Sequence, residues 1–99
     1  MQYVIDGIIY DTETATLLAR DAKAGSFGSS FGDAECTELY RSSKGHYFKT
    51  FKAETSVFVA PSTRLICLSL KDAIAEFNEL PDRFCDCREA FPDAEFTDA

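Results

Sequence analysis

Four cysteines and one histidine are the residues of this chain best suited to chemistry: Cys36, Cys67, Cys85, Cys87 and His46. A structural zinc site closes a tetrahedron with paired Cys-x2–4-Cys or Cys/His units. Only Cys85 and Cys87 are closely spaced, as C-x-C, and on a helix residues two apart point about 200° from each other. Two such thiols do not readily share an ion. The other reading makes the cysteines small apolar side chains, with Cys67 inside the run "RLICL" and Cys87 on a stripe with Phe84 and Phe91. It predicts no metal and no cofactor. Cys36 and His46 could face each other across a hairpin as a nucleophilic pair, but no third orienting residue or oxyanion motif accompanies them. No catalytic residue is assigned, and the chain reads as a non-enzyme.

Carboxylates make the strongest pattern. Asp72, Glu76 and Glu79 fall at i, i+4, i+7, and Asp82, Asp86 and Glu89 repeat that spacing after Pro81. On helices each triplet lines one face, with neighbouring Cβ atoms about 5–6 Å apart, and like charges so placed cost a few tenths of a kcal/mol per pair. Asp93 and Glu95 extend the series. Two readings follow. The rows present a surface for a basic partner, standing in for a nucleic-acid backbone before Lys and Arg side chains. Alternatively they are ordinary solvated helix faces that keep a small protein soluble.

The distribution of charge sharpens the choice. Residues 1–71 hold eight acids and eight Lys or Arg, which cancel. From Asp72 onward nine acids meet only Arg83 and Arg88, so the last 28 residues carry the whole net charge of −7. Direct nucleic-acid binding and attraction to anionic membrane are disfavoured, and a basic protein partner is favoured.

The elements that must position these residues come next. In "QYVIDGIIYD", Asp6-Gly7 is a turn signal between two apolar runs, giving a strand–turn–strand or one bent strand. "DTETATLLARDAKAG" predicts a helix: Asp11 and Thr12 can cap it, Ala15, Leu18, Ala19 and Ala22 recur at helical spacing, and Gly25 stops it. The loop "GSFGSSFG" follows a helix and lacks a phosphate-loop Lys, so it makes a poor nucleotide cradle. Its Phe27 and Phe31 are either core anchors or a contact patch. "ECTELYRSSKGHYFKTFKAE" predicts two strands joined across Ser42-Ser43-Lys44-Gly45, with His46 an exposed hairpin residue. Val57–Val59 and Arg64–Leu68 read as further strands. Ser69 caps a helix whose buried stripe is Leu70, Ala73, Ile74 and Phe77, and Pro81 opens a second helix burying Phe84, Cys87 and Phe91. Pro92 ends it, leaving residues 92–99 as a frayed acidic tail.

Ninety-nine residues, 45% of them apolar, suit one globular domain spanning 1–99. The expected class is α+β: a small antiparallel β-sheet with an N-terminal helix and C-terminal acidic helices packed on one face. No basic N-terminal region precedes an apolar run, and nothing approaches the roughly 18 apolar residues of a membrane span. The chain therefore reads as cytoplasmic, with reduced thiols, no membrane partner, and a monomer or weak dimer as its assembly.

"VIDGIIYDTETATLLA", "ELYRSSKGHYFKTF" and "LSLKDAIAEFNE" together cover about half of the chain. They resemble small phage and mobile-element proteins with a Tyr-Asp-Thr-x-Thr-Ala start, a Leu-Tyr-Arg-x-x-x-Gly hairpin and an acidic helix, several of them anti-CRISPR proteins or their genomic neighbours. The resemblance implies an inhibitor in a bacterial host cell. It would bind the basic surface of a CRISPR effector, first among them a type I surveillance complex, and block target-DNA binding. The candidate contact residues are Asp72, Glu76, Glu79, Asp82, Asp86, Glu89, Asp93 and Glu95, with Phe27 and Phe31 secondary. A regulatory or accessory interaction module of a phage or mobile element is the alternative.

Overall fold

A computed structural model describes residues 2–23, 34–54 and 62–98. The loop with Phe27 and Phe31 and the segment Val57–Val59 lie outside the described residues. The chain opens with a hairpin, β1 (Gln2–Ile5) and β2 (Ile8–Asp11), which pair antiparallel with Ile5 opposite Ile8. Asp6 and Gly7 both take positive φ, 52° and 76°, the geometry of a type I′ turn, whose twist matches that of the strands it joins.

A five-stranded antiparallel sheet follows, built from β3 (Thr16–Lys23), β4 (Ala34–Arg41), β5 (Tyr47–Glu54), β6 (Ser62–Leu68) and, after α1 (Leu70–Glu79), the two-residue β7 (Asp82–Arg83). Its order is β6-β5-β4-β3-β7. A short helix, α2 (Cys87–Ala90), completes the elements. The β4–β5 turn is local in origin. Gly45 N–H bonds the Ser42 carbonyl at 3.0 Å, and the Ser42 N–H bonds His46 at 2.8 Å. His46 N–H reaches the Ser42 hydroxyl at 3.0 Å, and Gly45 takes φ 84°. This is a three-residue loop closed by a glycine bulge.

Two expected helices are corrected. The N-terminal helix expected over "DTETATLLARDAKAG" does not form among the described residues, for Thr16–Lys23 is strand β3, and its expected stop at Gly25 lies outside them. The capping signal at Asp11 is real but lasts one turn: its carboxylate accepts the Glu13 N–H at 2.9 Å and its carbonyl accepts the Ala15 N–H at 3.0 Å. The register then shifts between Leu17 and Ala19, a bulge that places Leu18 and Ala19 together in the core. Alternation is broken there, so the strand looks helical in sequence, and pairing along β4 overrides the helix propensity of Ala and Leu. The second correction concerns Pro81 to Phe91. Asp82 and Arg83 pair with Arg20 and Ala19, and Phe84 N–H bonds the Leu18 carbonyl at 3.0 Å, so helix begins only after the Asp86 cap. Phe84, expected on a buried face, is 57% exposed.

Both faces of the sheet are used. Leu18, Leu39 and Tyr47 pack with Ala73, Phe77 and Leu80 around α1, and with Ala90 and Phe91 around α2. On the opposite face Tyr40 and Phe48, directly paired across β4 and β5, stack at 5.2 Å, and Tyr10 of the hairpin meets Phe48 edge-on at 5.4 Å. Full burial of such a ring stabilises by about 1.5–3 kcal/mol. Phe91 is the hub of the helical side, contacting Tyr47, Phe77 and Phe96. The segment read as a tail thus carries one half-buried ring, Phe96, packed against the core, and Asp98 lies 3.3 Å from Arg88.

Candidate interaction surface

Helix α1 exists where it does because Ser69 accepts the Asp72 N–H at 3.1 Å and Ala73, Ile74 and Phe77 supply an apolar flank. At 100° per residue, Asp72, Glu76 and Glu79 share the other flank, with Glu76 nearest the sheet. That position has a consequence. Glu76 Oε1 lies 2.5 Å from Lys49 Nζ on β5, and both side chains are about three-quarters buried. Asp72 and Glu79 remain exposed. Asp72 also sits in the first helical turn, where the backbone dipole favours a negative charge.

The second acidic triplet is rearranged. Asp82 lies on β7 opposite Arg20, whose charged state is favoured first by a hydrogen bond to Cys36 and then by Glu38 and Asp82. Asp86 is the cap of α2 and accepts the Glu89 N–H at 2.8 Å. The three carboxylates therefore do not line one helical face, because residues 82–86 are not helix. All three are nonetheless exposed, as are Asp93, Glu95 and Asp98.

The two arginines of this region are occupied. Arg83 donates from Nε to the Phe77 carbonyl at 3.0 Å and from Nη2 to the Asn78 carbonyl at 2.9 Å, and its guanidinium lies 5.3 Å from the Phe77 ring. It thereby satisfies carbonyls at the C-terminal end of α1. Arg88 meets Asp98 in an exposed pair, an interaction worth little in water.

The cysteines are not brought together. Cys36 pairs in register with Ala22 and Lys52, five residue steps from Arg41 and Tyr47 beside the turn, so it is roughly 17 Å along the strand from the His46 end. That separates the expected Cys36–His46 pair. Cys85 and Cys87 are half-buried against the helical core, and burial is the main cause that pushes the Cys85 thiol up. Cys67, expected to be buried, is exposed because β6 is an edge strand. Its thiol is hydrogen-bonded to Tyr10, the main cause holding that phenol up at about 12. Among the described residues no group of three or more His, Cys, Asp or Glu could hold a metal ion.

Two features were missed in sequence. Val4 and Ile9, cross-strand partners, are 69% and 62% exposed and form an apolar pair on the outer face of the first hairpin. Alternation about the Asp6-Gly7 turn puts them opposite Tyr3 and Tyr10, so that signal was present. Beside them a groove of 390 Å³ runs between β2 and the β4–β5 turn, edged by Ile8, Ile9, Lys44 and His46. Nothing local in the sequence announces the groove, since its walls are 35 residues apart.

Fold and surface together define a small α+β fold dominated by an antiparallel β-sheet, with few helices. No family model, curated protein or solved structure matches the chain. No described helix is long and apolar enough to cross a membrane.

Proposed function

We propose that the protein is a non-enzymatic inhibitor, acting in the bacterial cytoplasm, whose acidic layer occupies a Lys/Arg-lined nucleic-acid channel of a CRISPR effector. The observation that carries this reading is the uncancelled charge of residues 72–98. Nine acids stand there against two arginines engaged within the same layer, and among the described residues only Glu76 forms an ion pair with a cation from the sheet, Lys49. The choice of a CRISPR effector, and of a type I surveillance complex within that class, rests on the sequence resemblance. Charge complementarity of this kind speeds encounter and is screened by salt, since the Debye length falls from about 10 Å at 0.1 M to 3 Å at 1 M.

The test is target-DNA binding by purified effectors with and without the protein, at low and high salt. Loss of DNA binding that fades at high salt is the expected result. The informative variant is Glu79→Lys/Asp82→Lys/Glu89→Lys, which leaves the Asp86 cap and the Glu76–Lys49 pair intact. A folded triple variant with full inhibition eliminates this surface.

A second reading is an accessory interaction module without a CRISPR target, and the exposed Val4–Ile9 pair favours it. Val4→Lys/Ile9→Lys would then abolish partner binding while charge reversal on the helical layer would not.

A further inference from the structure

The outer edge of the five-stranded sheet is β6, which pairs with β5 and with no other strand among the described residues. Open edges expose a row of unpaired backbone groups and are usually blunted by Lys, Pro, a bulge or a short length. Strand β6, Ser62-Thr63-Arg64-Leu65-Ile66-Cys67-Leu68, is 7 residues long and carries none of these devices beyond Arg64. Its pairing with β5 is continuous from Ser62 to Leu68. Ile66 is 38% exposed and Cys67 is exposed, so the edge is apolar on both faces of the sheet.

The direction of its backbone groups follows from the β4–β5 turn. The Ser42–His46 bond makes Arg41 and Tyr47 a non-hydrogen-bonded pair, so Tyr47, Lys49 and Phe51 turn their N–H and C=O groups toward β6. Their partners Leu68, Ile66 and Arg64 face inward, leaving Thr63, Leu65 and Cys67 with backbone groups directed outward. These three positions are symmetric about Leu65.

We propose that β6 pairs antiparallel with β6 of a second copy of this chain, about a two-fold axis through Leu65, joining two sheets into one. Thr63 faces Cys67 of the second copy, Leu65 faces Leu65, and Cys67 faces Thr63. Each of these is a hydrogen-bonded pair, with two backbone bonds apiece. On the other face Arg64 opposes Ile66 of the second copy, so the one charge of the strand meets no like charge. A second copy fits this edge for an electrostatic reason too. Asp82 lies on β7 at the far edge of the sheet, so pairing through β6 sets Asp82 of the two copies apart, while Glu76 of α1, which packs over β4, β5 and β6, is already paired with Lys49. Pairing through β7 would bring the two Asp82 side chains together. Interfaces of a single strand pair are small, and a concentration-dependent dimer is the form such contacts take.

The test uses the full-length chain. Sedimentation equilibrium in reductant, over roughly 5–500 μM as suits a weak interface, should show a monomer–dimer equilibrium. Ile66→Lys places a cation opposite Arg64 of the second copy twice per dimer and should weaken association about tenfold. A cross-link gives an independent readout. Hydrogen-bonded antiparallel pairs hold Cα atoms about 5.5 Å apart, within disulfide reach. Thr63→Cys should therefore give a covalent dimer through Cys67 under mild copper-catalysed air oxidation, and Thr63→Cys/Cys67→Ser should not. The wild-type chain should not cross-link through Cys67 alone, since its two copies lie about four residues, some 13 Å, apart in this register. A monomer throughout the concentration range with no Thr63→Cys cross-link overturns the proposal. So does a dimer that Val4→Lys/Ile9→Lys dissolves and Ile66→Lys leaves unchanged.

Discussion

Lys49 on β5 and Glu76 on α1 form an ion pair that joins helix to sheet, with Nζ and Oε1 2.5 Å apart. The pair removes one carboxylate from the row Asp72, Glu76, Glu79, so the acidic face of α1 is carried by its outer members. Because each side chain is about one-quarter exposed, solvent screens the attraction and its net worth stays modest. A double-mutant cycle with Lys49→Met and Glu76→Gln, read by urea unfolding, should give a coupling energy of about 0.5–1 kcal/mol. In the inhibition assay Glu76→Gln should matter less than Glu79→Gln.

Phe91 is fully buried and meets Tyr47 at 5.2 Å, Phe77 at 5.5 Å and Phe96 at 6.4 Å between ring centroids. Its replacement removes these ring contacts and leaves a cavity, so Phe91→Ala should cost about 3–5 kcal/mol. Phe84→Ala, at an exposed site, should stay within about 0.5 kcal/mol. Urea midpoints of the two variants decide the matter, and equal losses would contradict this packing.

Alkaline pH should unfold the protein by way of its tyrosines. Tyr10 is held up at about 12 first by its hydrogen bond to Cys67, and Tyr40 at about 12 first by burial. A folded pKa above the unfolded value near 10 stabilises the fold below pH 10, and that stabilisation is lost as pH rises toward 12. Absorbance at 295 nm should show these phenols ionising together with the loss of near-ultraviolet dichroism. Tyr10→Phe should diminish the effect.

Gly45 takes φ 84° to close the β4–β5 turn, and a Cβ there would meet the Asp93 carboxylate only at an ordinary 3.7 Å. The cost of Gly45→Ala is therefore one of backbone conformation, about 1–2 kcal/mol. A thermal melt should register it, while Gly45→Asn, tolerant of this region, should lose less.

What was legible in the sequence lay within a few residues of its own cause. The Asp6-Gly7 turn and the Ser69 cap appear as expected, the strand at Arg64–Leu68 lies within Ser62–Leu68, and the Ser42–Gly45 turn forms with a loop of three residues rather than four. Each depends on a local dihedral preference, a side chain reaching its own backbone or a short apolar run. The Asp11 cap was also legible, but its length was not: one turn forms and the chain then extends.

Strand β3 illustrates why the rest was hidden. Its adjacent buried Leu18 and Ala19, which look helical in sequence, sit at a bulge against β4, and that partner lies about 20 residues away, whereas Ala22 is exposed. Asp82-Arg83 become a strand only because β3 offers an edge, and Cys67 is exposed only because β6 ends the sheet. The turns, helix α1 and the concentration of negative charge after Asp72 follow from neighbouring residues and from composition, so they could be read without the fold. Tertiary structure alone decided that β3 is a strand, that Glu76 is neutralised by Lys49 and that the second acidic row is not a helix face. Hydrogen-bond partners remote in sequence set those outcomes, and no local propensity of about 1 kcal/mol outweighs a paired sheet edge.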